Sequence, residues 1–158
     1  MRRRTRARRL ALEVLYQVDL LSSAEVVDEA LTGPTAPADA PSRQFARELV
    51  LGVVEHRDDI DRLIREAAEN WELHRMATVD RNILRLGTFE LVYRRDIPPK
   101  VSINEAVELA KRYSTAESGN FVNGILDRIK SGLAPDAKDQ PEARTDPVEP
   151  KPEATERG

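Results

Sequence analysis

The chain of 158 residues predicts a single all-α domain, a bundle of about seven helices of which two are short. Composition is the first observation: 40% of residues are hydrophobic and 34% charged, but only seven are aromatic, so Leu, Val, Ala and Ile build the core and strong helix formers dominate. The second is periodicity, because apolar residues recur three, four and seven apart and no stretch sustains the alternation of a half-buried strand. The third is the lack of any internal repeat of solenoid length.

The elements follow in chain order. Ala7, Ala11, Val14, Leu15, Val18 and Leu21 mark a first helix over 5–21, with Leu12 and Tyr16 on a second flank. Ser23 caps a short helix over 24–31. Three prolines and Gly33 make 32–41 a loop. Ser42 opens a long helix with a buried line of Phe45, Leu49, Val53 and His56, and Asp58-Asp59 restarts a helix carrying Ile60, Leu63, Ile64 and Ala67. Trp71, in the loop over 70–77, is expected to plug the bundle. Thr78 caps a helix over 79–93 whose apolar positions cover so much of its circumference that it is expected to be the central one. Gly87 within it implies close helix approach. Ser102 and Glu105 have capping-box spacing and open a helix to Tyr113. A polar connection over 114–120 leads to a last helix with Phe121, Val122, Ile125, Leu126 and Ile129, stopped near Gly132.

Charge is distributed unevenly. Arg2, Arg3, Arg4, Arg6, Arg8 and Arg9 occupy six of the first nine positions with no acid among them, yet the whole chain carries −3. The positive end runs straight into a helix, so nucleic acid and self-association are the partners it suggests. Residues 134–158, acidic and proline-rich with hardly an apolar side chain, are expected to be a disordered tail, because they cannot offset the entropy of ordering. Cysteine is absent, which excludes disulfides and thiolate chemistry. No apolar run approaches the roughly 18 residues of a membrane span, and the N-terminus has no signal-peptide core, so a cytoplasmic protein without membrane contact is expected.

A catalytic reading finds little support. His56 and His74, the two histidines, lack ligand spacing, and no glycine-rich phosphate loop is followed by Lys-Ser/Thr. No enzyme activity, metal or cofactor is expected. RNA binding would combine guanidinium–phosphate contacts with an aromatic platform for unstacked bases. Phe121, Tyr113, Asn120 and Asn123 are the candidates, although Phe121, Ile125 and Ile129 also form a core stripe.

Three blocks carry a resemblance. They are Arg6-Ala-Arg-Arg-Leu-Ala-Leu-Glu-Val-Leu-Tyr-Gln17, Val79-Asp-Arg-Asn-Ile-Leu-Arg-Leu-Gly-Thr-Phe-Glu-Leu91, and Ile97-Pro-Pro-Lys-Val-Ser-Ile-Asn-Glu-Ala-Val-Glu-Leu-Ala-Lys111 continued by Phe121-Val-Asn-Gly-Ile-Leu-Asp127. In order and spacing the chain resembles the NusB family of transcription antitermination factors over residues 3–132. The resemblance implies a helical domain that binds boxA RNA together with the ribosomal protein NusE. It also implies association with NusA, NusG and RNA polymerase in ribosomal RNA transcription. It places Arg4, Arg6 and Arg8 on RNA, with Glu117 and Phe121 on the same surface, where Asn120 is the base-contact candidate already named, and Tyr16 and Asp80 on the NusE face. Thr5 stands where that family often has arginine. Two other readings are a homodimerising interaction domain and an accessory RNA-binding domain of the ribosomal RNA cytosine methyltransferase type.

Overall fold

The computed structural model describes residues 3–21, 27, 31, 33, 39–69 and 71–133. Among these are six α-helices, a 3₁₀ turn at Leu73–Arg75 and no strand. We number the helices α1 (Arg3–Leu21), α2 (Ala40–Glu55), α3 (Arg57–Ala67), α4 (Thr78–Tyr93), α5 (Pro99–Tyr113) and α6 (Ala116–Ser131). The short helix expected over 24–31 lies largely outside the described residues; Val27 and Leu31 are helical and buried. The tail expected over 134–158 lies wholly outside them.

Helix α4 is central, since each of the other five helices packs against it. Every residue from Asn82 to Leu91 is buried. Two glycines permit the approach. A Cβ at Gly87 would lie 2.7 Å from a methyl of Leu126 on α6, and one at Gly52 on α2 would overlap the Phe89 ring. Around this axis Leu49, Ile60, Ile64, Ile83, Leu84, Ile125 and Leu126 are fully enclosed, each contributing about 1.5–3 kcal/mol relative to exposure.

Several helix starts differ from expectation. Helix α2 opens at Ala40, before Ser42, because Asp39 is the cap: its carboxylate accepts the Ser42 amide at 2.9 Å and Pro41 fits the first turn. Thr78 is the first residue of α4 and makes no side-chain cap. Pro98 and Pro99 start α5, so Ser102 and Glu105 lie inside it and form no capping box. The polar connection before α6 shrinks to Ser114 and Thr115, since the Thr115 hydroxyl accepts the Ser118 amide at 2.9 Å. Leu21, expected on the buried stripe of α1, is 62% exposed.

Ser102 and Glu105 are bound instead by a buried ionic cluster. Arg8 on α1 donates through Nε and Nη2 to both carboxylate oxygens of Glu90 on α4, at 2.8 Å each, with the side chains 3% and 2% exposed. Ser102 Oγ donates to the same carboxylate at 2.8 Å. Arg8 Nη1 reaches Glu105 at 3.3 Å, and Thr5 Oγ1 donates to that oxygen at 2.9 Å. Burial alone would lower the Arg8 pKa, but the hydrogen bond and charge of Glu90, with those of Glu105, raise it.

Removing one member leaves the other charged and enclosed. Glu90→Ala is therefore expected to cost about 3–5 kcal/mol, read as a lower urea midpoint. Arg8→Met combined with Glu90→Leu should lie closer to the parent than either single change. A double variant no better than Glu90→Ala would show that the geometry, not the unpaired charge, sets the loss.

Candidate nucleic-acid interface

The basic end divides in two. Arg3, Arg4 and Arg6 are exposed on the first turns of α1. Arg3 and Arg6 reach Asp39 only at 3.9 and 3.8 Å, with side chains 69% and 50% exposed, so these are weak surface pairs that a phosphate can displace. The hydrogen bond from Ser42, with the charge of Arg3, holds the Asp39 carboxyl below its ordinary range. The Arg4 guanidinium lies 4.6 Å from the centroid of the Phe45 ring. Arg9 donates through Nε to the Tyr113 hydroxyl at 3.0 Å, tying α1 to the C-terminal turn of α5, where Lys111 and Arg112 add charge.

Arg8 corrects the expectation from sequence. Enclosed and bonded to Glu90 and Glu105, it is not available to phosphate in this fold. The signal was present, since position 8 precedes Leu12 by four and Leu15 by seven and shares their buried face. Arg2 lies outside the described residues.

A second locus forms where the first turns of α4 and α6 meet. A cavity of about 400 Å³ is lined by Trp71, Arg75, Met76, Asp80, Glu117 and Phe121, among others. Phe121 is half-buried: one side packs on the core while its ring meets Trp71 edge-on, centroids 5.3 Å apart and planes 70° apart. Trp71 is 57% exposed, so it does not plug the bundle as expected. Glu117 and Asp80 thus join Phe121 in one place. Asn120 is exposed on α6, and Tyr16, 37% exposed on α1, does not line the cavity. Asp80 accepts from Ser118 Oγ at 3.0 Å through one oxygen, and its other oxygen is enclosed without a partner among the described residues.

A second ionic cluster anchors the start of α4. Arg85 binds both oxygens of Asp61 on α3, at 2.8 and 3.1 Å, and reaches Asp19 on α1 at 3.1 Å. Asp19 also accepts from Arg81 at 2.9 Å and Asn82 at 3.1 Å. Burial pushes the Asp19 carboxyl up, but the Arg81 bond, the Arg85 charge and the Asn82 bond outweigh it and hold it below the ordinary range. Sequence reasoning misses this cluster because each charge alone looks like a solvated helix face.

These features define a helical interaction module with a cationic helix end and a separate acid-rimmed aromatic cavity. The NusB family model matches residues 5–131. A transcription antitermination protein NusB of Myxococcus xanthus is 51% identical over 135 residues, 83% of this chain and 96% of that protein. NusB of T. maritima superposes with a TM-score of 0.77 at 42% identity, covering 85% of this chain and 95% of that one. A crystal structure of the antitermination factors NusB and NusE in complex with double-stranded RNA matches with a TM-score of 0.76 at 32% identity, over 84% of this chain and 99% of that one. This chain belongs to the NusB family.

Asp19 carries a pH signature. A carboxyl with a depressed pKa stabilises the fold above its unfolded value of about 3.9, and that contribution disappears as pH falls through the lower folded value. Asp19→Asn should cost on the order of 2 kcal/mol at pH 7. The difference from the parent should narrow when urea midpoints are taken at progressively lower pH below about 4. A gap that stays constant would remove Asp19 as a source of acid sensitivity.

Proposed function

We propose that this chain is a transcription antitermination factor that binds boxA RNA together with NusE and acts with NusA, NusG and RNA polymerase in ribosomal RNA transcription, as a cytoplasmic protein. It works by binding and not by catalysis. The observation that carries this reading is the family match across residues 5–131, joined by the similarity to a solved NusB–NusE–RNA assembly.

The surface suits the role. Arg3, Arg4 and Arg6 project from the start of α1, where flexible guanidinium groups release counterions as they meet phosphate. They provide attraction with little sequence preference. Phe121, with an exposed part of its ring and polar neighbours Glu117 and Asn120, supplies a surface for unstacked bases. Tyr16, exposed one turn before Asp19, and Asp80 are proposed for the NusE side. Asp80 faces Ser118 and lines the Phe121 cavity, which supports a partner surface that adjoins the RNA surface.

Salt dependence separates the arginines. The log–log slope of boxA affinity against salt should become shallower by about 0.7 for each phosphate of single-stranded RNA that is no longer neutralised. Arg6→Gln is expected to show that change with the fold intact. Arg8→Gln should lower the urea midpoint and leave the slope as it was. Equal slopes for the parent and Arg6→Gln would take Arg6 off the RNA.

Phe121 requires a substitution that keeps its packing. Phe121→Leu fills the core side and removes the ring, and should weaken RNA binding by about 1–3 kcal/mol. Unchanged binding in electrophoretic titration, with circular dichroism preserved, would leave Phe121 a core residue only.

A further inference from the structure

Trp71 is unexplained by the fold and by the surface just described. It is the single tryptophan of the chain, it precedes the 3₁₀ turn, and more than half of it faces solvent. Exposed tryptophan surface forgoes the large burial gain of that side chain, and its aromatic partner among the described residues is Phe121. The two rings meet at 70°, so they form the walls of a notch instead of a stack. A planar group of base size can lie on one ring while its edge meets the other.

The chemistry of the rim selects what enters. Glu117 and Asp80 line the cavity beside the rings, so a phosphate there would face two carboxylates. A nucleobase carries no charge and presents a π-face to either ring. Arg75 stands at the same rim with its side chain 74% exposed, held by a loose 3.9 Å pair with Glu72. A neighbouring cavity of about 530 Å³, also lined by Trp71, carries Arg57 and Arg65 together with the acids Asp19, Asp61, Glu69 and Glu72, and Arg57 pairs with Asp19 and Asp61 at 3.6 and 3.7 Å. The aromatic notch is thus rimmed by acids with one loosely held cation, Arg75, beside them, an order that suits a base inserted next to one phosphate.

From this arrangement we infer that Trp71 and Phe121 together form a notch that stacks one unpaired base of the bound RNA strand, with Arg75 taking an adjoining phosphate. The inference rests on the RNA-binding reading and adds Trp71 and Arg75 to it. Stacking on such a site is tolerant of base identity and favours the bases that stack most strongly, so purines are preferred. Paired bases cannot enter.

Trp71 is its own reporter. The full chain is titrated with fluorescein-labelled oligoadenylate of about a dozen residues, within the span that such single-strand sites cover, and separately with the same strand annealed to oligouridylate. Anisotropy reads binding and tryptophan emission reads the notch. The expected result is that the single strand quenches Trp71 as it binds, whereas the duplex binds through the arginines with emission unchanged. Trp71→Leu, checked by circular dichroism, should weaken oligoadenylate roughly 5- to 150-fold, and Trp71→Phe should recover most of that loss. Arg75→Gln should reduce the salt slope by about 0.7.

Oligoadenylate saturating the protein without quenching would overturn the notch and leave RNA binding intact. An emission change on adding NusE alone, with none on adding RNA, would instead make Trp71 a protein-docking residue and overturn it equally. Quenching as strong with the duplex would exclude base insertion. Anisotropy unchanged by either nucleic acid at low salt would remove the RNA-binding reading itself, and the notch with it.

Discussion

The fold depends on one enclosed contact, the paired hydrogen bonds between the Arg8 guanidinium and the Glu90 carboxylate. Both groups are shut off from water, at a desolvation penalty of several kcal/mol per ion, so the contact is tolerable only with near-ideal geometry and further partners for the remaining polar atoms. Two 2.8 Å bonds, Ser102 Oγ on the carboxylate and Glu105 on the free guanidinium nitrogen meet that demand. The cluster pins α1, α4 and α5 at one point. A slip of α1 that brings Ala7 into the place of Arg8 would leave Glu90 buried with a hydroxyl as its remaining partner.

The second ionic cluster makes the arrangement directional. Eleven residues along α1, roughly 16 Å at 1.5 Å per residue, Asp19 meets Arg81 and Arg85 at the opposite end of α4. The cation of α1 faces the acid of α4 at one end, and the acid of α1 faces the cations of α4 at the other. Reversing α1 would bring Arg8 against Arg81 and Arg85, and Asp19 against Glu90. Apolar packing of Leu, Val and Ala tolerates several pairings, whereas these charges admit one orientation and one register. The same two clusters therefore aim the outer face of α1, which is why Arg3, Arg4 and Arg6 reach solvent as a group.

The all-α class and the place of α4 were legible because both follow from apolar spacing, and a helix that is apolar around its whole circumference has to be enclosed. The position of Gly87 within that helix also foretold its close contact with Leu126. Capping was less legible. Ser102 and Glu105 have the spacing of a capping box, but the pair Pro98-Pro99 starts the helix earlier and leaves both side chains free to serve the Arg8–Glu90 pair. Charged residues were least legible: spacing to Leu12 and Leu15 is all that sets Arg8 apart from its exposed neighbours, and nothing local names Glu90, 82 positions away, as its partner. Trp71 failed for the opposite reason: size and hydrophobicity argue for burial, and the loop that holds it places it at the mouth of a cavity.

In the proposed function, attraction and discrimination fall on different elements. Long-range pull needs cations in high dielectric, where their side chains stay mobile and their interactions decay within about 8–10 Å at ordinary salt. Base contact needs rigid rings in a partly dry notch, and rings are rigid only when the core supports them, as Ile125 and Val122 support the helix bearing Phe121. Placing six arginines around the rings would fill the notch with phosphate. Under the proposed function, separating the two would let a strand be captured at α1 and then examined at the start of α6. The enclosed Arg8 holds those two elements in a fixed relation through α4 and α5, so the arginine that touches no phosphate sets where the others can act.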